Sequence, residues 1–247
     1  MIKNHLIDDV ICEIPAWEYK ERVEKTRKRM EAEKFDALVI YSNPWHMSNV
    51  FWLSNFRAFD GIQPDPALLF LPLEGPPILF CEKPIIPYCR DLTWIEDVRP
   101  VRPGFEAAME DLKKTGIYSR IGIVGAQYFA LEFYRILENV FGNERLCDTD
   151  LLYELKCIKS ENEIHLMRNA ARLADQSLLD LKENIYDGMT EREAVQIMHT
   201  SLFMHGADSQ AFDIMVQSGV HSGKYVLARG TDKKIRKKTK NLKKGLA

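Results

Sequence analysis

Hydrophobic residues recur every three or four positions in the stretch from residue 161, which predicts a long amphipathic helix. Ser160 and Glu163 form a capping box, in which each side chain satisfies a backbone N–H at the helix start. Gly188 ends this helix, and Thr190 with Glu193 forms a second capping box that starts another helix reaching Gly206. The apolar stripe of the first helix is expected to be its buried face: Ile164, Met167, Ala171, Ala174, Leu178, Leu181 and Ile185.

The first half of the chain alternates short apolar runs with amphipathic segments. Helices are predicted from residue 16, over 105–114 and over 128–141. Strands are predicted at residues 37–41, 67–71, 78–81 and 120–124. This alternation favours a sheet with helices packed on its faces, and hence an α/β domain.

Composition is typical of a soluble globular protein, with 46% hydrophobic and 28% charged residues. No apolar run approaches the roughly 18 to 20 residues that cross a bilayer, and the N-terminus lacks a signal-peptide pattern. The five cysteines are scattered, with no C-x-x-C spacing, which favours free thiols in a reducing compartment. We therefore expect a cytoplasmic protein.

The net charge of −2 hides a strong asymmetry, because residues 224–247 carry +9 and residues 1–223 carry −11. The basic end has no apolar period and repels itself, so we expect residues 236–247 to be a disordered tail. It lacks the aromatic residues that stack on bases, and we expect neither a nucleic acid nor a membrane as partner. A truncation or a reading-frame change within a lysine-coding run would also produce such an end.

Several motifs, taken in order, resemble the creatinase, prolidase and aminopeptidase P family. They are residues 36–40 (DALVI), 43–44 (NP), 52–56 (WLSNF), 159–164 (KSENEI), 167–171 (MRNAA), 188–193 (GMTERE) and 212–219 (FDIMVQSG). The resemblance implies an α/β chain: a creatinase-type N-terminal domain, with a mixed sheet and flanking helices, then an incomplete α+β pita-bread domain. The expected limits are 1–150 for the first domain, 151–235 for the partial catalytic domain and 236–247 for the tail.

The resemblance also implies a metal-dependent reaction in complete relatives. Those relatives hold two divalent ions (Mn, Co or Zn) with two Asp, one His and two Glu, and the ions activate water to hydrolyse an amide C–N bond. After Gly219 this chain offers one acid, Asp232, and one histidine, His221. We therefore expect a chain truncated before its metal site, with no catalytic residue, no metal ligand, no cofactor and no peptidase activity of its own.

His221 is the one candidate substrate-binding residue. Many relatives place a catalytic or substrate-binding histidine seven residues beyond the Ser-Gly pair, where this chain has Val226, whereas His221 follows Gly219 by two positions. The resemblance implies an Xaa-Pro peptidase-type homodimer acting on a peptide or a small amide. The alternatives are a small-molecule amidohydrolase, a non-catalytic dimerisation or binding module of the same fold, and an anion-binding protein that acts through its tail.

Other polar residues have simpler interpretations. Asp148 and Asp150 resemble a carboxylate pair, but they lie near the expected domain junction and are interpreted as solvated or capping residues. His46, beside Trp45, is interpreted as a surface histidine in a loop. His199 and His205 are six positions apart on a helix and therefore cannot share one ligand face.

Overall fold

The computed structural model describes residues 13–58, 65–224 and 228–237. The described residues divide into two units, which separate between Lys159 and Ser160. Each unit is built around its own secondary structure.

The N-terminal unit alternates helices and strands, as the sequence predicts. Its helices are α1 (Ala16–Glu33), α2 (Ser48–Ser54), α3 (Ile86–Leu92), α4 (Gly104–Thr115), α5 (Leu131–Phe141) and α6 (Leu151–Cys157). Its strands are β1 (Ala37–Ser42), β2 (Ala67–Pro72), β3 (Ile78–Cys81), β4 (Asp97–Pro100), β5 (Ile121–Val124) and β6 (Leu146–Asp148). The four predicted strands are confirmed, whereas β4 and β6 have no apolar run to reveal them.

The six described strands form one mixed sheet in the order β4-β3-β2-β1-β5-β6. β1 pairs antiparallel with β2 and parallel with β5, and β5 pairs parallel with β6. Gly122 permits the close approach of β5 to β1, since a Cβ there would lie 2.4 Å from Leu38 Cδ2. The predicted mixed sheet with flanking helices is confirmed.

Helices cover both faces of this sheet, which explains why its central strands are continuous apolar runs rather than alternating ones. One core contains Leu38 and Ile40 of β1 together with residues of α1, α2, α3 and α6. The other contains Val39 of β1 together with residues of α4 and α5. Helices α2 and α5, which follow the adjacent parallel strands β1 and β5, thus pack on opposite faces.

Helix α6 belongs to the N-terminal unit, although the sequence places the end of the first domain near residue 150. Leu151 and Leu152 are buried in the same core as residues of α1. Arg29 of α1 also pairs with Glu154 at 2.5 Å. The units consequently divide after Lys159.

The C-terminal unit, as far as it is described, consists of α7 (Glu161–Asn184), α8 (Glu191–Met204), the short α9 (Val220–Lys224) and connecting segments. Both predicted capping boxes are confirmed. Ser160 Oγ accepts from Glu163 N at 3.1 Å, and Thr190 Oγ1 accepts from Glu193 N at 3.1 Å.

The apolar stripe of α7, which the periodicity predicts as a face to be buried by a covering sheet, is largely exposed in the described chain. Met167 is 58% exposed and Leu178 is 54% exposed. Helix α7 instead meets α8 through small and polar side chains, with Ser177 buried and Asp180 bonded to Ser201 Oγ at 2.6 Å. No element among the described residues covers the stripe, which is the physical reason for its exposure.

Two further expectations concern the basic tail and membrane-spanning segments. The predicted tail lies outside the described residues from position 238 onward. None of the described helices combines the length and the apolar character required to cross a bilayer.

Candidate functional site

The segment 228–237 lies along the start of α8 and builds a polar cluster there. Gly188 N donates to Ile235 O at 2.8 Å, and Ile235 N donates to Met189 O at 2.6 Å. One turn further, Glu191 N donates to Lys233 O at 3.0 Å. The first turn of a helix has N–H groups without an intrahelical acceptor, so this segment supplies carbonyls that α8 needs.

Glu191 is the centre of this cluster, which we call the Glu191 cluster, and its side chain is fully buried. One carboxylate oxygen accepts from Ser218 N at 2.8 Å and from Ser218 Oγ at 2.9 Å. The other accepts from His221 Nδ1 at 3.0 Å, Thr231 Oγ1 at 2.8 Å and Thr231 N at 3.3 Å. Lys233 Nζ lies 3.6 Å from Glu191 Oε1 and donates to Ser218 O at 2.8 Å.

These donors keep the buried carboxyl ionised. Burial is the largest single influence and favours the neutral form, but the hydrogen bonds from Thr231, His221 and Ser218 together outweigh it. They hold the pKa of Glu191 at about 2, well below the ordinary glutamate value of 4.5. Because a carboxylate can only accept, the Nδ1 of His221 carries a proton in this arrangement.

The Glu191 cluster is consequently an anchoring site rather than a metal site. A carboxylate offers about four lone-pair positions, and five hydrogen bonds from described residues already use them. Within the described ranges, no group of three or more His, Cys, Asp or Glu side chains is placed to hold a metal ion. The described residues therefore do not fit a two-metal site that needs about five such ligands.

The other candidate residues of the sequence have individual environments. Asp148 and Asp150 are exposed in the N-terminal unit, and Asp150 precedes α6 without a side-chain capping bond. His46 is exposed and stacks on Tyr128, with ring centroids 4.1 Å apart. Val226 lies outside the described residues. The assignment of His221 to substrate binding stays a prediction, although the structure shows His221 oriented by Glu191.

His199 within α8 and His205 just after its end have different partners. His205 Nε2 lies 3.2 Å from Asp180 Oδ2, whereas the His199 ring lies 4.8 Å from the Phe203 ring. Hydrogen bonds to Asp180, first that from Ser201, lower the pKa of its carboxyl. Asp180 thus links α7 to α8 through its hydrogen bonds with Ser201 and His205.

Sequence reasoning missed Glu191 because its local pattern is that of a solvated residue. It follows an N-cap threonine, where an acidic side chain on the surface is common. Its burial depends on Ser218 and Thr231, which are distant in sequence. One available signal was the threonine and lysines at 231–234, which could pair with an acidic helix start.

Comparison with known proteins gives two family matches in sequence order. The Creatinase/Prolidase N-terminal domain matches residues 22–157, which is the sheet unit up to the end of α6. Metallopeptidase family M24 matches residues 165–243, which begins within α7. Peptidases of the second family are metal-dependent, as their name states.

Individual relatives agree with these matches. The Xaa-Pro dipeptidase of Pyrococcus horikoshii is 28% identical over 206 residues, covering 82% of this chain and 53% of that protein. A prolidase from Thermococcus sibiricus has a similar fold, with a TM-score of 0.74 at 21% identity, covering 89% of this chain and 59% of that one. An X-Pro aminopeptidase from Thermotoga maritima gives a TM-score of 0.73 at 20% identity, covering 87% and 57%.

The chain spans about half the length of the relatives it matches. The ordered motifs, the mixed sheet and both family matches lead to the same assignment. The chain belongs to the creatinase and prolidase family, with that family's N-terminal domain followed by part of an M24 metallopeptidase domain of the pita-bread fold.

Proposed function

We propose that this chain is part of a metallohydrolase of the Xaa-Pro peptidase type, which cleaves amide C–N bonds. The observation that supports it best is the alignment with an Xaa-Pro dipeptidase over 82% of the chain. Both family matches lie in the order that such a dipeptidase would have. The described residues supply the N-terminal domain and the first helices of the catalytic domain, and no hydrolytic step is assigned to them.

We propose that the protein acts as a homodimer in the cytoplasm, with two divalent ions such as Mn²⁺, Co²⁺ or Zn²⁺ held by residues beyond those described. The four described cysteines are free thiols, which supports a reducing compartment. A peptide with a proline after its scissile bond is the proposed substrate. A small amide would be the substrate if the protein were instead an amidohydrolase.

The test starts from the coding DNA beyond the codon for residue 235. We expect one reading frame to encode two Asp, one His and two Glu at the family's intervals. The protein extended in that frame is then assayed for cleavage of Ala-Pro, with Mn²⁺, Co²⁺ or Zn²⁺ added and with EDTA as control. The 247-residue chain is assayed in parallel and is expected to show no cleavage above buffer.

The outcomes separate the candidate functions. Chelator-sensitive cleavage of Ala-Pro, but not of Ala-Gly, by the extended protein supports an Xaa-Pro peptidase. The absence of such a reading frame would contradict the proposal and favour the non-catalytic module. Turnover of the 247-residue chain that survives repurification and disappears with EDTA would overturn the expectation of an incomplete site.

A further inference from the structure

A cleft of about 630 Å³ opens within the N-terminal unit, at the carboxyl ends of parallel strands. Val124 at the end of β5 and Gly125 just after it line the cleft, as does the start of α2, which follows β1. Asp148 at the end of β6 and residues after it, including Lys156 of α6, complete the lining. Its volume is in the range of about 300 to 1,000 Å³ typical of small-molecule sites.

The topology explains why the cleft lies there. β1, β5 and β6 run parallel, so their carboxyl ends meet at one edge of the sheet. Helix α2 leaves β1 toward one face, while α5 leaves β5 toward the opposite face. Adjacent parallel strands whose connections separate in this way leave a crevice, which is where open α/β sheets bind ligands.

The cleft contains two hydrogen-bond donors held by one buried amide. Lys156 Nζ donates to Asn49 Oδ1 at 2.5 Å and to Ser48 Oγ at 3.3 Å. Asn49 Nδ2 donates to Tyr128 Oη at 2.7 Å. An ammonium group has three N–H donors, and two of those of Lys156 bond to Asn49 and Ser48, which leaves one for a ligand. The Tyr128 hydroxyl accepts a hydrogen bond from Asn49, so its own O–H can also donate to a ligand.

Lys156 is a cation without a carboxylate partner among the described residues. Burial, and secondarily the charge of Lys159, lowers the pKa of its amine. Removing a cation from water is costly unless an anion or hydrogen bonds compensate it. Two neutral oxygens meet part of that requirement, and because Lys156 is only partly buried, its remaining N–H is accessible to an anionic oxygen of a ligand.

The acidic residues of the cleft limit which anion can bind. Asp148 and Asp150 line it and are exposed. Their charges repel polyanions such as phosphates and attract a cationic group. A ligand that carries a carboxylate at one end and an ammonium at the other satisfies both requirements.

We propose that this cleft, with Lys156 and Tyr128 as donors and Asp148 and Asp150 as acceptors, binds an amino acid or a short peptide as a zwitterion. The site lies in the N-terminal unit and is independent of the hydrolysis proposed above. The ligand's carboxylate meets Lys156 and Tyr128, and its ammonium meets the acidic side chains.

The test is isothermal titration of the full 247-residue chain with the dipeptide Ala-Gly. Saturable binding is expected, at least tenfold weaker for the C-terminal amide, which lacks the carboxylate. Weaker binding is also expected for N-acetyl-Ala-Gly, and none for inorganic phosphate. Lys156→Met is expected to weaken Ala-Gly binding at least tenfold, whereas Lys114→Met, at an exposed lysine of α4, leaves it unchanged.

A second measurement keeps the proposal testable if Lys156→Met does not fold. In the ¹⁵N-labelled wild-type chain, Ala-Gly is expected to shift the backbone amides of Asn49 and Gly125 with one common Kd. Tyr128→Phe is expected to raise that Kd several-fold. No saturable binding, equal binding of the amide, equal binding of the acetylated dipeptide, or binding of phosphate as tight as that of Ala-Gly would each overturn the proposal.

Discussion

Replacing Glu191 by glutamine tests whether the Glu191 cluster holds segment 228–237 against α8. Glutamine has nearly the same volume but keeps only one oxygen acceptor, and its other terminal atom is a donor. In the native arrangement, both oxygens of Glu191 accept from donors on Ser218, His221 and Thr231. At least one of these donors would therefore face an NH₂ group in the variant.

The loss of stabilising free energy in Glu191→Gln can be estimated in two ways. The pKa of about 2, against an ordinary 4.5, corresponds to about 3 kcal/mol at about 1.4 kcal/mol per tenfold change in the protonation equilibrium. Solvent reduces this figure, because the side chains of His221 and Lys233 are 17% and 29% exposed. A buried donor left unsatisfied costs about 1 to 3 kcal/mol. We expect a loss of about 2 kcal/mol.

The loss depends on pH in a defined direction. The pKa of Glu191 is lowered in the folded chain, so its contribution is complete above about pH 5.5 and disappears as pH falls through 4.5 toward 2. Glu191→Gln has no such titration. The difference in stability between wild type and variant should therefore be constant from pH 7 to about 5.5 and shrink below about pH 5.

Amide hydrogen exchange of the full chain measures this locally. The amides of Ser218 and Thr231 donate directly to Glu191, so their opening free energies are the quantities compared. Glu183→Gln, at an exposed position of α7, is the matched control and should change neither amide. Unchanged protection in Glu191→Gln, or a difference at pH 3 as large as the difference at pH 7, would refute the argument.

Three further substitutions test the packing and polar contacts of both units. Gly230→Ala should weaken the docking of its segment by about 1 to 3 kcal/mol, seen by the same exchange measurement, because a Cβ would lie 2.9 Å from Glu191 O. Ser160→Ala should cost about 1 kcal/mol in urea unfolding followed by circular dichroism, because it removes the N-cap of α7. Glu18→Ala should cost about 3 kcal/mol in denaturant unfolding followed by tryptophan fluorescence, because buried Arg22 loses the carboxylate 2.7 Å away.

Each of these substitutions has a matched control. Gly223→Ala should be tolerated, since no heavy atom beyond its chain neighbours and its own helix backbone lies within 4 Å of the added Cβ. Ser160→Thr retains a capping hydroxyl and should preserve stability. Glu21→Ala breaks an exposed pair with Lys25 and should cost less than about 1 kcal/mol. Equal effects in a substitution and its control would contradict the corresponding argument.

Short-range features of the chain were predictable because their causes are local. Both capping boxes join residues three positions apart, so the sequence alone determines where α7 and α8 begin. The strands at 37–42 and 67–72 were predictable because central strands covered on both faces must be apolar throughout. The ordered motifs indicated the family for a similar reason, because each motif consists of only a few consecutive residues.

Features that depend on distant partners were decided by the tertiary structure. The sequence predicts that α7 buries one apolar face. In the structure, its contact with α8 is formed by small and polar residues such as Ser177 and Asp180. Periodicity shows that a face exists, but burial requires another element to cover it. The short strands β4 and β6 were missed because sheet pairing, rather than apolar character, defines them.

The two candidate sites show the same division most clearly. Local patterns determined that the chain is α/β and which helices are capped, and the ordered motifs carry its resemblance to a known family. Only the tertiary structure decided that Glu191 is buried by a segment about 40 residues away, as its bond to Thr231 shows. It alone also placed Lys156 beside Asn49, about 107 residues apart, at the ends of parallel strands. Local patterns encode conformation, whereas the environment of a charged side chain is set by residues that only folding brings together.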